Sequence, residues 1–316
     1  MIQNELKLLL KNQIQGKIFS NESMKKRTTF GVGGQAELYI FPKDKNELKI
    51  IINESNKYDI PIFITGSGSN LLVSDSGFNG IVISLSKTFK KLSISDKLEI
   101  DAESGVMLST MVRKAIKKNI DGLESLIGVP GTVGGALVMN AGAYGSEISN
   151  FFISADVINL KGEEKIYKKK DLKFDYRFSS FSQNEIITNI KFQCNEGDAN
   201  NIKNLRLISS KKRKQAQPLN FKSAGSIFKN PKEGPAAGFL IDNVGLKGLR
   251  IGGAEISQKH ANFIVNHGNA MANDVLELIK IIKEEVYKKY KILLDLEIKL
   301  LGFNEIIIRE LKNDKN

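Results

Sequence analysis

Gly66-Ser67-Gly68-Ser69-Asn70-Leu71-Leu72-Val73 follows a short apolar run, Pro61 to Thr65, and precedes another, Ile81 to Ser84. Glycine at such a turn permits positive φ and lets backbone N–H groups approach a phosphate closely. A plain tight turn explains the same loop equally well. The stretch looks like the fingerprint of doubly wound dinucleotide-binding sheets, but it fails that fingerprint twice. Asn70 occupies the place of the third glycine. Lys90 and Lys91 stand where an acidic residue should hold the ribose. If this loop binds a nucleotide, it does so on a different fold.

A second segment carries a stronger signal. Gly128-Val129-Pro130-Gly131-Thr132-Val133-Gly134-Gly135 runs on through Ala136–Met139 to Asn140-Ala141-Gly142-Ala143-Tyr144-Gly145. It holds six glycines in eighteen positions, with apolar residues interleaved throughout, so it is no flexible linker. Backbone wrapped around a ligand suits this pattern, as does a close crossing of two packed elements.

The remaining chain bounds the chemistry. Its 316 residues suffice for two or three packed domains. Apolar residues at 41% and charged residues at 26% are the balance of a globular protein. With 47 Lys and Arg against 35 Asp and Glu, the net charge is +12, which favours anionic partners. One cysteine, Cys194, excludes an intrachain disulfide and fits a reducing compartment. His260 and His267 lack cysteine neighbours, so no metal site is expected. The apolar patch Leu8–Leu10 is too short for a signal sequence or a membrane span, and a cytoplasmic chain is expected.

Periodicity predicts strands at 36–41, 61–65, 81–84, 98–102, 155–160 and 185–194. It predicts helices over 46–57 and 107–118 and a basic helix over about 201–214. Gln215-Ala-Gln-Pro218 reads as a linker. Beyond it, strands are expected at 226–229, 262–266 and 295–301, and helices at 236–244 and 273–290. Residues 303–316 read as a charged extension.

Several further stretches carry a family resemblance in chain order. They are Arg27-Thr-Thr-Phe-Gly-Val-Gly-Gly34, Gly122-Leu-Glu-Ser-Leu-Ile-Gly128, Tyr176-Arg177, Ala224-Gly-Ser-Ile-Phe-Lys-Asn-Pro231, Ala237-Gly-Phe-Leu-Ile-Asp242 and Lys259-His-Ala-Asn-Phe-Ile-Val-Asn266. Together with the two glycine-rich segments, the chain resembles the UDP-N-acetylenolpyruvoylglucosamine reductases of peptidoglycan precursor synthesis. The resemblance implies an α+β architecture: a vanillyl-alcohol-oxidase-type (PCMH-type) FAD-binding fold of two subdomains, then a C-terminal α+β substrate-binding domain. It divides the chain into an FAD-binding region, 1–216, with its core about 27–195, a substrate domain, 217–302, and the extension 303–316. The short interval between Arg177 and Ser226 implies the shorter family type, without the loop that carries a mobile tyrosine.

The implied reaction reduces an enolpyruvyl ether to a lactyl ether, with FAD as cofactor and NADPH as co-substrate. It needs a proton donor and a group that stabilises charge developing beside a carboxylate. Ser226 matches the family's proton-donor serine, Arg177 its arginine and Glu297 its C-terminal glutamate. Read alone, these are a loop serine, a surface arginine and an edge carboxylate. Leu296 stands where the family commonly has proline, and Asp295 is the nearby rival to Glu297. The resemblance assigns FAD to Gly66, Ser67, Gly68, Ser69, Asn70 and Leu71, then to Gly128, Val129, Pro130, Gly131, Thr132, Gly134, Gly135, Asn140, Ala141 and Gly142. Lys229, Asn230 and His260 are the candidate contacts to an anionic UDP-sugar; a monomer is favoured. Two rivals are another oxidoreductase of the same flavoprotein superfamily and a basic nucleic-acid-binding protein. The second rests on Lys211-Lys-Arg-Lys214, a run more often found on a solvated helix face.

Overall fold

The computed structural model describes Ile2 and residues 4–312. The chain forms two compact units. The first takes the N-terminal segment through Ser20, Leu38–Ser67 and Gly80–Arg213; the second takes Asn21–Glu37, Gly68–Asn79 and the chain from Lys214 onward.

In the first unit, Asp44 caps the helix Lys45–Lys57 by accepting from the Asn46 and Glu47 amides at 2.9 and 3.0 Å. Leu48, Ile51 and Ile52 point inward from that helix and are fully buried with Leu38, Ile40, Ile81 and Ile83. Ile62–Thr65 pairs in parallel with Ile81–Ser84, and residues 66–80 are the connection between them. A second, antiparallel sheet has the order Glu164–Lys168, Phe152–Asn159, Glu185–Gln193, Glu99–Glu103, Leu92–Ile94. The helix Leu108–Lys117 has no side-chain N-cap, so packing of its buried Leu108, Met111, Val112 and Ala115 must hold it. These residues share a core with Ile100, Ile190 and Phe192.

The second unit has a three-stranded antiparallel sheet, Arg250–Ile251, Ala254–Ile256 and Ile264–Asn266, and a long helix, Ala272–Tyr290. Val275, Leu278, Ile279, Ile282 and Val286 form the buried stripe of that helix. Two early segments join this unit. Phe30, Val32 and Leu72 enter its core, and Leu71–Val73 pairs in parallel with Lys299–Leu301. Asn266 donates to the Phe30 and Gly31 carbonyls at 2.9 and 3.2 Å.

Asp75 supplies the long helix with a cap from distant sequence. Its carboxylate accepts from the Ala272 and Asn273 amides at 2.8 and 3.0 Å. Two first-turn donors otherwise lack intrahelical partners. Asp75→Ala is expected to lower stability by about 1–2 kcal/mol in a urea titration, and Asp75→Asn should recover part of it.

Several elements differ from the periodicity. Residues 226–229 form no regular strand; Ser226 and Phe228 make isolated bridges to Phe263 and Leu296. The strand expected over 295–301 is limited to Lys299–Leu301. The basic helix spans Ala199–Ala216, so it absorbs half of the expected linker and ends before Pro218. The N-terminal stretch contains a helix, Asn4–Gln13, and a strand, Lys17–Ser23. Within the expected charged extension, Glu305–Lys312 is helical and Leu311 is buried in the second core. The apolar residues Ile307, Ile308 and Leu311 give it a face that a count of charges overlooks. Residues 313–316 of that extension lie outside the described residues. Among the described residues, no helix is long and apolar enough to cross a membrane.

Candidate active site

In the first unit the two glycine-rich segments meet. A Cβ at Gly66 would lie 2.5 Å from Thr132 Oγ1, so only glycine permits this approach. Ser84 Oγ donates to the Gly66 carbonyl at 2.8 Å. Thr132 starts the helix Val133–Val138, its hydroxyl accepting from the Gly135 amide at 3.3 Å. Gly134 lies against Ser104, where an added Cβ would come 2.7 Å from the Ser104 Cβ, and its amide donates to the Ser104 carbonyl at 2.9 Å. Gly131 has φ +129°, in the region that favours glycine.

Among the described residues of this unit, four hydroxyls, Ser67 Oγ, Thr88 Oγ1, Ser104 Oγ and Ser125 Oγ, are buried without a hydrogen-bond partner. Buried hydroxyls are normally paired with protein, water or a ligand, and Ser67 and Ser104 adjoin the glycines of the two segments. Glycines in close approach beside unpaired hydroxyls fit a bound FAD, whose phosphates, ribose and ring edges carry complementary groups. Ser104 and Ser125 carry no sequence signal as single serines.

The Asn140 side chain bonds within the protein. Its side chain is fully buried. Its amide donates to Glu147 Oε2 at 2.8 Å and to the Asp175 carbonyl at 3.0 Å, and its Oδ1 accepts from the Ser149 amide at 3.3 Å. The carboxamide therefore ties the glycine segment to the hairpin Phe174–Ser179. Ser179 Oγ adds a 2.6 Å bond to the Val138 carbonyl. Arg177 sits at the tip of this hairpin with φ 54°, a left-handed conformation that costs a non-glycine residue about 1–2 kcal/mol. Its guanidinium carbon is 4.9 Å from the centre of the Tyr176 ring.

In the second unit, Ser226 and Glu297 lie on adjoining stretches. The Glu297 amide donates to the Ile227 carbonyl at 2.8 Å, and the Lys229 amide to the Asp295 carbonyl at 2.9 Å. Glu297 is half-buried and Asp295, its rival in the sequence, is exposed. Leu296, at the position of the family's proline, bridges to Phe228 and packs on the core. The loop after Gly66 continues here. Asn70 donates to the Glu297 carbonyl at 3.0 Å and accepts, through its own carbonyl, from the Lys299 amide at 3.0 Å. Gly68 has φ +68°, and a Cβ there would fall 2.1 Å from the Arg27 carbonyl oxygen. Leu71 is a core strand residue here.

The candidate substrate residues belong to the same unit. Asn230 Oδ1 accepts from the Ala237 amide at 3.1 Å at the start of the helix Ala237–Asn243. His260 Nδ1 accepts from the Asn262 amide at 3.2 Å. Burial lowers the His260 pKa, with a smaller push from Lys247. The ring is therefore neutral at pH 7, and its Nε2 carries the proton. Cys194 is buried and its pKa raised to about 12, so it is no nucleophile.

Residues 36–166 match a family described as FAD binding domain. Residues 217–301 match the C-terminal domain of UDP-N-acetylenolpyruvoylglucosamine reductase. The expected α+β fold of the vanillyl-alcohol-oxidase type is the fold of this chain, which is thus a flavoprotein with a reductase C-terminal domain.

A UDP-N-acetylenolpyruvoylglucosamine reductase of Clostridium tetani is 41% identical over 94% of this chain and 96% of its own length. One from Prochlorococcus marinus is 43% identical over 91% of this chain and 99% of its own. The crystal structure of UDP-N-acetylenolpyruvylglucosamine reductase from Thermus caldophilus has a TM-score of 0.78 at 35% identity, covering 92% of this chain and all of that one. The chain belongs to the UDP-N-acetylenolpyruvoylglucosamine reductase family. It is an FAD-dependent oxidoreductase that reduces the enolpyruvyl group of its UDP-sugar in peptidoglycan precursor synthesis.

Proposed function

We propose that Ser226, Glu297 and Arg177 carry this reduction, with NADPH as the source of electrons. The observation that most supports the reading is the Glu297 amide to Ile227 carbonyl bond, which holds a hydroxyl and a carboxyl group on neighbouring stretches. FAD, when bound, supplies the hydride that adds to the vinyl group. The carbon beside the substrate carboxylate then takes its proton from Ser226 Oγ. A serine hydroxyl is a weak acid, and Glu297 completes the acid–base set. Arg177 pairs with the substrate carboxylate and stabilises the enolate as charge develops.

On this reading Lys229, Asn230 and the His260 Nε2–H bind the UDP-sugar in a substrate domain of residues 217–302. The cofactor core spans about 27–195, with Gly66–Leu71 and Gly128–Gly142 as its cofactor contacts. Within the latter, Asn140 acts through its backbone and by fixing the segment. Between Arg177 and Ser226 lie the strand Glu185–Gln193, the helix Ala199–Ala216 and short connections, which supports the shorter family type. The basic surplus serves anionic dinucleotides and a UDP-sugar in the cytoplasm, acting as a monomer, rather than nucleic acid or a membrane.

The purified protein should be yellow and release FAD on denaturation; a colourless protein that binds RNA would overturn the reading. Arg177→Lys keeps the charge but loses the planar fork. It is expected to lower kcat/KM for the UDP-sugar roughly tenfold or more, since each 1.4 kcal/mol is tenfold, and to leave flavin reduction by NADPH intact.

A further inference from the structure

Arg213 lies within the run Lys211-Lys-Arg-Lys214, and the structure sets it apart from its neighbours. Lys211, Lys212 and Lys214 are exposed, as expected of a solvated helix face. Arg213 is half-buried against the second glycine-rich segment, in the first unit. A Cβ at Gly128 would come 2.7 Å from Arg213 Cδ, 3.2 Å from Nε and 3.4 Å from Nη1. Glycine at 128 thus makes room for the guanidinium.

Among the described residues, Arg213 has neither a hydrogen-bond nor an ion-pair partner, in a chain with 35 acidic residues. Glu124, in the same turn as Gly128, has a buried Oε2 without a hydrogen-bond partner, yet it makes no ion pair with Arg213. Burial pulls the Arg213 pKa down, opposed by the nearby Tyr144 hydroxyl, and an arginine remains charged at neutral pH even so. A desolvated cation without a partner is costly. A site that keeps one is arranged for an anion from outside the chain.

We propose that Arg213 binds a nucleotide diphosphate at the Gly128–Gly131 turn. The fork of a guanidinium matches phosphate oxygens two at a time. The inference rests on reading the 128–145 segment as a cofactor cradle, and it adds a residue that neither glycine loop contains. FAD, NADPH and the UDP-sugar each bring a diphosphate, so the ligand chemistry is shared and the test separates the sources.

Arg213→Met and Arg213→Lys are compared with wild type in the full-length protein. Three affinities are measured: FAD rebinding to the apoprotein by fluorescence quenching, KM for NADPH in flavin reduction, and KM for the UDP-sugar with FAD saturating. Arg213→Met is expected to weaken one of the three about tenfold or more, the size of one lost charge-assisted contact. The other two should stay within twofold, and Arg213→Lys should recover part of the loss. The melting temperature of the Arg213→Met apoprotein should not fall, because an unpaired, half-buried charge has been removed. Three affinities all within twofold of wild type would overturn the proposal, and so would a lower apoprotein melting temperature with unchanged affinities. A wild-type protein that holds no flavin would instead overturn the cofactor reading and the proposal together.

Discussion

Replacing Ser226 with alanine is expected to slow substrate reduction by roughly 10²–10⁴-fold, the usual loss on removing one general acid. The fold gives a reason to expect a clean result. Ser226 follows Gly225, which has φ +81° and nothing within 4 Å of an added Cβ, while Ala224, Ile227 and Phe228 on either side are anchored in the second core. The side chain is half-buried and its backbone is held by the bridge to Phe263. Alanine keeps both features and removes only the hydroxyl. In a stopped-flow experiment, NADPH should still reduce the flavin at the wild-type rate, and reoxidation by the UDP-sugar should fail. If both half-reactions run normally, another group donates the proton.

Asn140→Ala should have the largest effect on stability, about 3 kcal/mol. The substitution leaves the Ser149 amide unmet in a buried setting, at about 1–3 kcal/mol, and removes the donors to the half-buried Glu147 Oε2 and the Asp175 carbonyl at a smaller cost each. It also leaves alanine at φ 41°, a conformation that asparagine tolerates better. The glycine segment and the Arg177 hairpin lose their shared tie, so FAD content should fall along with the urea midpoint. Asn140→Asp, which retains the acceptor for Ser149 and loses both donors, should be no better than intermediate. An alanine variant with wild-type stability and full FAD content would show that the hairpin is held by other contacts.

Legibility in the sequence followed the range of the interactions. The helix Ala272–Tyr290 announces itself through Val275, Leu278, Ile279, Ile282 and Val286 because its stripe repeats at helical spacing. The glycine segments were visible because close approach demands one residue type. Nothing periodic shows that residues 21–37 and 68–79 belong with the C-terminal unit; that depends on pairings such as Asn266 with Phe30 and Asp75 with Ala272. Asn140 stands among glycines expected to contact FAD, and nothing in the sequence shows that its side chain bonds to Glu147, Asp175 and Ser149. Ser104 and Ser125 gave no signal, since a serine's partner is not written beside it. Arg213 was hidden among lysines of the same charge, and only burial distinguishes it.

The central claim is that electrons pass from NADPH to the enolpyruvyl group of a UDP-sugar through FAD held by this chain. The most direct test is NADPH oxidation by the purified, FAD-loaded protein, with and without UDP-N-acetylglucosamine enolpyruvate. The expected result is oxidation that depends on the sugar and yields one UDP-N-acetylmuramate per NADPH consumed. Oxidation indifferent to the sugar, together with turnover of an unrelated alcohol, would contradict it and favour another oxidoreductase of the same flavoprotein superfamily.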